Sequence, residues 1–274
     1  MRCFDSIENQ VDEVVVVDNG SDKETICVLN TLEKTRDNVK IFYNGENLGI
    51  AAAQNIGVKY AIEKKYTWIL TLDHDSEATP NMVDKMLFAY ETLNSKGVNQ
   101  IGIIAANTVD KNINGQRVFD TNDEVEEVDK AISSGSMICS DVFKKVGFFN
   151  EYLFMYYVDD DFCLRCKDNK WRIYVCGQAT LLHEEGAKEM RRFLWKNSIY
   201  KNYDSYAMYY IIRNTIYMIK NYYGHRKYCY LTIKRVCIDT IKIVLFDKNK
   251  VKLLYFMTKG LWDGIQGNCG RLPT

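Results

Sequence analysis

Trp68-Ile69-Leu70-Thr71-Leu72-Asp73-His74-Asp75-Ser76 is the stretch that decides the fold. Residues 68 to 72 are apolar or β-branched, and the run stops at two carboxylates one residue apart. A short apolar run without charge suits a central strand covered on both faces. In open parallel sheets, ligands gather beyond the carboxyl ends of the strands. Two carboxylates there make a hard, oxygen-rich site for a divalent cation, Mg2+ or Mn2+, which in turn suits a diphosphate. The same residues also fit an acidic turn into a helix that Thr79 caps and Pro80 starts. The tripeptide alone does not choose between these readings.

Working outward, strands and helices alternate. Residues 1–11 carry Cys3, Phe4, Ile7 and Val11 at helical spacing. Glu13 to Asp18 is a β-branched run ending in a carboxylate and a Gly turn. Ser21 or Asp22 caps a helix to about Thr35, and Val39 to Tyr43 is the next strand. A loop, Asn44 to Gly49, leads to a helix from Ile50 to Lys64. Asn55 on that helix is polar where the face should be apolar, as expected of a buried hydrogen bonder that fixes a loop. Beyond the carboxylates the pattern predicts a helix from Pro80 to Lys96 and a strand from Ile101 to Asn107. The front half is therefore α/β with a largely parallel sheet. Residues 108–130 read as a hairpin or flexible excursion.

Residues 131–138 are strand-like but rich in Ser and Gly, which let a backbone approach a ligand closely. Ser140 caps a short helix that ends at Gly147. After an aromatic loop, Asp159-Asp160-Asp161 opens a helix from Phe162 to Lys167. Capping accounts for one carboxylate at a helix start; three in a row repel one another, which raises a pKa and makes a base. Trp171 to Cys176 reads as one strand and Thr180 to His183 as the end of another. A lone His in that place is more often structural than a ligand.

The chain has 274 residues, 47% hydrophobic, so a full core can form. Its nine cysteines are odd in number and irregular in spacing, which argues against a disulfide framework. Cys163-x-x-Cys166 reads as ordinary half-buried thiols rather than a zinc site. The opening residues lack the apolar segment of a signal peptide, and no run is long and uncharged enough to span a bilayer. The expected compartment is the cytoplasm. The net charge of zero conceals an asymmetry: residues 187–274 hold 17 Lys and Arg against 5 Asp and Glu, whereas residues 1–186 hold 19 against 31. An acidic front suits metal and catalytic carboxylates. A basic rear, with predicted helices at Tyr203–Tyr223, Arg226–Phe246 and Lys248–Ile265, suits an anionic surface such as membrane lipid, or packing on the sheet domain or on the acidic half of a partner subunit. The expected division is residues 1–200 as catalytic domain and 201–274 as a basic helical region. No nucleic-acid partner is expected.

Taken as a set, Val16-Val17-Asp18-Asn19-Gly20-Ser21, Asn47-Leu48-Gly49-Ile50-Ala51-Ala52-Ala53-Gln54-Asn55, Asp73-His74-Asp75-Ser76, Ser134-Gly135-Ser136, Val146-Gly147-Phe148-Phe149-Asn150-Glu151 and Asp159-x-Asp161-x-Cys163-x-Arg165 resemble the inverting glycosyltransferases of family 2, which have the GT-A fold. With Tyr209-Tyr210-x-x-Arg213-Asn214, the chain is most similar to bacterial rhamnosyltransferases that use dTDP-rhamnose. The resemblance spans residues 4–220. It implies a GT-A-like open, mostly parallel twisted sheet with helices on both faces and a C-terminal helical appendage. It also implies a nucleotide-sugar donor, a glycan or lipid-linked glycan acceptor, and Mg2+ or Mn2+. Asp18 then contacts the nucleobase or ribose, with Asn19, Asn47, Gly49 and Asn55 in the same donor site. Asp73 touches ribose or metal, Asp75 ligates the metal, and His183 completes or neighbours it. Asp159 aligns with the general base, with Asp161 as the second choice. Gly135 leaves room for the donor sugar.

The family begins with a strand bearing a Thr-Tyr-Asn-like motif, and this chain starts inside the helix that follows it. A sheet lacking that first strand is therefore expected. This favours, as a second reading, a non-catalytic binding or assembly subunit. A nucleotidyltransferase would need a Gly-rich basic phosphate loop, which residues 1–25 do not offer.

Overall fold

The computed structural model describes residues 1–111, 119, 124–183, 188–193, 196–201 and 204–272, with residues 188–193 and 196–201 described by backbone alone. Their elements run α1 (Arg2–Ile7), β1 (Val14–Asp18), α2 (Lys23–Thr35), β2 (Val39–Tyr43), α3 (Ile50–Glu63), β3 (Trp68–Thr71), β4 (Glu77–Ala78), α4 (Met82–Ser95), β5 (Ile101–Asp110), β6 (Val125–Glu127), β7 (Ser136–Cys139), α5 (Ser140–Val146), α6 (Val158–Asp168), β8 (Arg172–His183), β9 (Lys188–Phe193), β10 (Lys196–Lys201), α7 (Ser205–Asn221), α8 (Arg226–Phe246) and α9 (Lys250–Gln266). Two compact units result: Met1–Asn150 with Asp159–Glu184, and Glu151–Val158 with Glu185–Thr274.

In the first unit, β1 and β2 pair in parallel, Val14 opposite Val39. A larger sheet has the order β3-β7-β5-β8-β4, with β6 also on β8. Within it β5 and β8 are parallel, and β7 runs antiparallel between β3 and β5. Helices cover both faces. Val14 and Val16 pack with Phe4, Leu32, Val39 and Ile41, while Val15 and Val17 face Gly57 of α3. No strand pairs β1 with β3 among the described residues, so β1 and β2 form a two-stranded sheet of their own.

The helix after the carboxylates begins at Met82, not at Pro80, and Asn81 precedes it in the left-handed region (φ 60°). Thr79 is diverted from capping because its hydroxyl donates to the Thr180 carbonyl at 2.7 Å. Residues 77 and 78 form a strand instead, Glu77 opposite Leu182 and Ala78 opposite Leu181. The two strands read at 171–176 and 180–183 are one, β8, with a register irregularity between Cys176 and Thr180.

Asn55 is buried on α3 and ties two distant segments. Its amide nitrogen donates to the Phe149 carbonyl, and its oxygen accepts from the Phe149 amide, both at 2.9 Å. Asn55→Ala orphans both backbone groups of a buried residue, at about 1–3 kcal/mol each. Urea unfolding should lose roughly 2–4 kcal/mol, and a loss below about 0.5 kcal/mol would contradict this anchoring role.

In the second unit, α9 packs on α7 through Leu253, Met257, Gly260 and Gly264. A Cβ at Gly260 would run into the Tyr209 carbonyl, so only glycine allows this approach. Arg213 and Asn214 hold the aromatic loop. Arg213 donates to the carbonyls of Tyr152 and Leu153 at 3.1 and 2.9 Å, and Asn214 to those of Leu153, Met155 and Tyr156 at 2.9, 2.7 and 3.1 Å. Phe154, Tyr156 and Tyr157 all sit at positive φ (60–63°). Such strain persists only where surrounding bonds over-determine it, and these two side chains do so.

Candidate active site

The strand directions bring the site together. β3 opposes β7 and β7 opposes β5, so β3, β5 and β8 all point the same way and end at one rim. β4 then turns back along the end of β8, which brings the 73–76 loop over His183. One ligand atom each from Asp73, Asp75 and His183 lies within 4.8 Å of the others.

Asp75 Oδ1 stands 3.3 Å from His183 Nδ1. It is buried, and no hydrogen bond reaches it among the described residues. A buried, unsatisfied carboxylate oxygen calls for a missing partner. Two carboxylates and one imidazole are a donor set that fits Mg2+ or Mn2+.

Two serines that the sequence reading missed fix this cluster. Ser76 Oγ lies 2.9 Å from His183 Nδ1 and 2.7 Å from Ser134 Oγ, and Ser134 Oγ accepts from the Asp73 amide at 3.0 Å. Such outer bonds set ring orientation at metal-type sites. Their signal was present: Ser76 follows the carboxylates directly, and Ser134 sits in the small-residue run. Burial raises the Asp73 pKa above the carboxylate norm; His183 opposes the rise and Asp75 adds to it.

Asp159 stands in the first turn of α6 and reaches the same electrostatic neighbourhood. Burial pushes its carboxyl up from 3.8 to about 7; hydrogen bonds from Ser133 oppose the shift, and the charges of Asp160 and Asp73 add to it. Asp160 is neutralised by Lys130 at 2.8 Å. Asp159 is thereby poised to exchange a proton near neutral pH.

Asp161 does not fit the second-choice base. It is almost fully buried and pairs with Arg165 at 2.9 Å, one helical turn on. Arg165 also donates to the carbonyls of Val146 and Phe148 at 2.6 and 2.8 Å, so the pair braces the loop before α6. Gly135 has a structural reason of its own. At φ 80° its ideal Cβ would meet Leu181 Cδ2 at 2.8 Å, so glycine is required there by the backbone and by Leu181. Asn55, assigned to the donor by the resemblance and to a loop by its position, serves the loop.

Asp18 ends β1, buried, and accepts from the Gly20 and Ser21 amides at 3.2 Å each. Asn19 donates to Asn47 Oδ1 at 3.1 Å and to the Gly49 carbonyl at 3.2 Å, and accepts from the Leu48 amide at 2.9 Å. Asn47 accepts from the Gly49 amide at 2.9 Å. Asp18, Asn19, Asn47 and Gly49 thus shape one pair of loops where α3 starts.

This arrangement has known counterparts. The chain is 28% identical to dTDP-rhamnosyl transferase RfbF of Shigella flexneri, over 94% of this chain and 87% of that protein. It is 25% identical to the low-salt glycan biosynthesis hexosyltransferase Agl10 of Haloferax volcanii, over 69% of each. The crystal structure of GalNAc-T7 with UDP, GalNAc and Mn2+ superimposes with a TM-score of 0.58 at 14% identity, covering 95% of this chain and 52% of that one, which supports the GT-A-like fold. Residues 1–144 match the profile of glycosyl transferase family 2. The chain belongs to glycosyl transferase family 2.

Proposed function

We propose that this glycosyltransferase is inverting and metal-dependent, and that it moves rhamnose from dTDP-rhamnose to a glycan or lipid-linked glycan in cell-surface polysaccharide synthesis. The observation that carries the reading is the cluster of Asp73, Asp75 and His183 with the raised carboxyl of Asp159 beside it. The similarity to RfbF supports the donor, and the similarity to Agl10 supports the broader hexosyl class.

In this reading Asp73, Asp75 and His183 hold Mg2+ or Mn2+. When bound, the cation supplies positive charge against that building on the leaving diphosphate. Asp18, Asn19, Asn47 and Gly49 shape the nucleotide end of the donor site. Asp159 accepts the proton of the acceptor hydroxyl as it attacks the anomeric carbon. One displacement inverts the centre, so no second carboxylate nucleophile is needed. Residues 1–200 make up the catalytic region, and residues 201–274 serve a basic, helical role at the inner membrane face.

Calorimetry with dTDP and Mn2+ tests the donor half. The expected result is saturable heat that disappears with EDTA and is weaker for UDP. Heat from UDP but not from dTDP would overturn the rhamnosyl donor. No heat with any nucleotide and metal would overturn the enzyme reading and favour the binding-subunit alternative.

A further inference from the structure

Helix α8 leaves much of its apolar surface outside. Its inward side carries Thr232, Val236, Asp239, Ile243 and Phe246, of which Thr232 and Ile243 are buried. Ile233, Cys237, Ile241, Val244 and Leu245 are all exposed. A surface helix of a globular protein normally turns such residues inward.

The outer stripe of α8 runs Tyr230, Lys234, Ile238, Ile241 and Leu245, at spacings of four, four, three and four residues that keep one face. Helix α9 repeats the arrangement. Opposite its packed side it exposes Val251 (79%), Tyr255 (62%), Thr258, Trp262 (63%) and Ile265 (56%). No acidic side chain lies on either stripe. Residues 226–266 contain nine Lys and Arg against three Asp and no Glu.

We propose that the outer faces of α8 and α9 dock on an anionic phospholipid bilayer. Apolar side chains with Trp and Tyr among them, flanked by lysines, match the boundary between headgroups and acyl chains. The excess positive charge complements acidic lipid. A second copy offering the same faces would bring like charges together, which disfavours self-association there. Among the described residues no helix is long and apolar enough to cross a membrane. The inference deepens the acceptor half of the reading above, because a lipid-linked glycan is presented at such a surface.

Co-sedimentation of the full chain with phosphatidylcholine vesicles, with and without phosphatidylglycerol, tests it. Binding to the anionic vesicles at low salt is expected, weakening at least tenfold in 0.5 M salt, where screening is about 4–5 Å. Ile241→Glu and Trp262→Glu should each weaken binding about tenfold or more with unchanged thermal melting, since both sites are exposed. Trp262→Phe should keep binding but lose the fluorescence blue shift that vesicles induce. Equal binding to neutral and anionic vesicles, no binding at low salt, or unaltered binding by both Glu variants would overturn the proposal. So would a dimer in the absence of lipid that Ile241→Glu dissolves. Heat from dTDP and Mn2+ is read in the same preparations without vesicles, so its loss fails the donor reading and not this one.

Discussion

Asp75→Ala should abolish metal-dependent turnover of the sugar nucleotide. The expected loss is roughly a thousandfold or more, because a cation at a developing diphosphate contributes several kcal/mol and each 1.4 kcal/mol is about tenfold. The change removes the buried Oδ1 that no hydrogen bond reaches, and with it the 3.3 Å contact to His183. It also removes a neighbouring charge that raises the Asp73 pKa. Without metal, the variant should melt at or slightly above the parent temperature. With Mn2+, the parent should gain stability in proportion to binding, and the variant should not. Turnover within threefold of the parent, with Mn2+ still raising its melting temperature, would remove Asp75 from the metal site.

The second large effect is on the base. Asp159→Asn should lower the turnover rate by about 10²–10⁴ while leaving dTDP affinity nearly unchanged. The raised pKa also fixes the sign of two pH dependences. A base must be ionised, so parent activity should rise with pH through about 7, and the Asn variant should lose that limb. For stability, the folded carboxyl holds its proton up to about 7, whereas the unfolded one releases it near 3.8. Between those values the folded state binds more protons, so parent stability falls as pH rises across the window. The variant carries no such penalty and should gain on the parent from pH 4 to pH 8 when both are unfolded in urea with EDTA. Lost dTDP affinity with a normal rate would contradict the role.

How far the site was legible depended on the range of the interaction. Asp73 and Asp75 end a local apolar run, and that pattern is visible in nine residues. Asn55 betrayed itself as a polar residue on an apolar face. His183 entered only through the resemblance, because nothing local distinguishes a lone His, and the acidic triplet pointed to a base without saying which of its three members. The misread strand and cap turn on partners far along the chain. Thr79 is drawn off its cap by Thr180, and residues 77–78 become a strand because Leu181 and Leu182 lie opposite. Asp161 is a plausible base until Arg165 is seen holding it.

The gap in the sheet bears on cooperativity. A two-stranded ribbon is marginal by itself in water, and β1 with β2 is such a ribbon. In a parallel ladder, successive residues turn their amides to opposite sides. Val14 donates to Asn38 at 2.9 Å and Asp18 accepts from Asn44 at 3.0 Å, so Val15 and Val17 turn theirs toward the gap. The ribbon is tied to the rest by side chains, with Val14 in both apolar clusters and α3 touching β1 and β3. It can therefore open as a unit while the larger sheet stays folded. Asp18 and Asn19 ride on that leaf, so on the proposed reading saturating nucleotide would stiffen the amino-terminal leaf first.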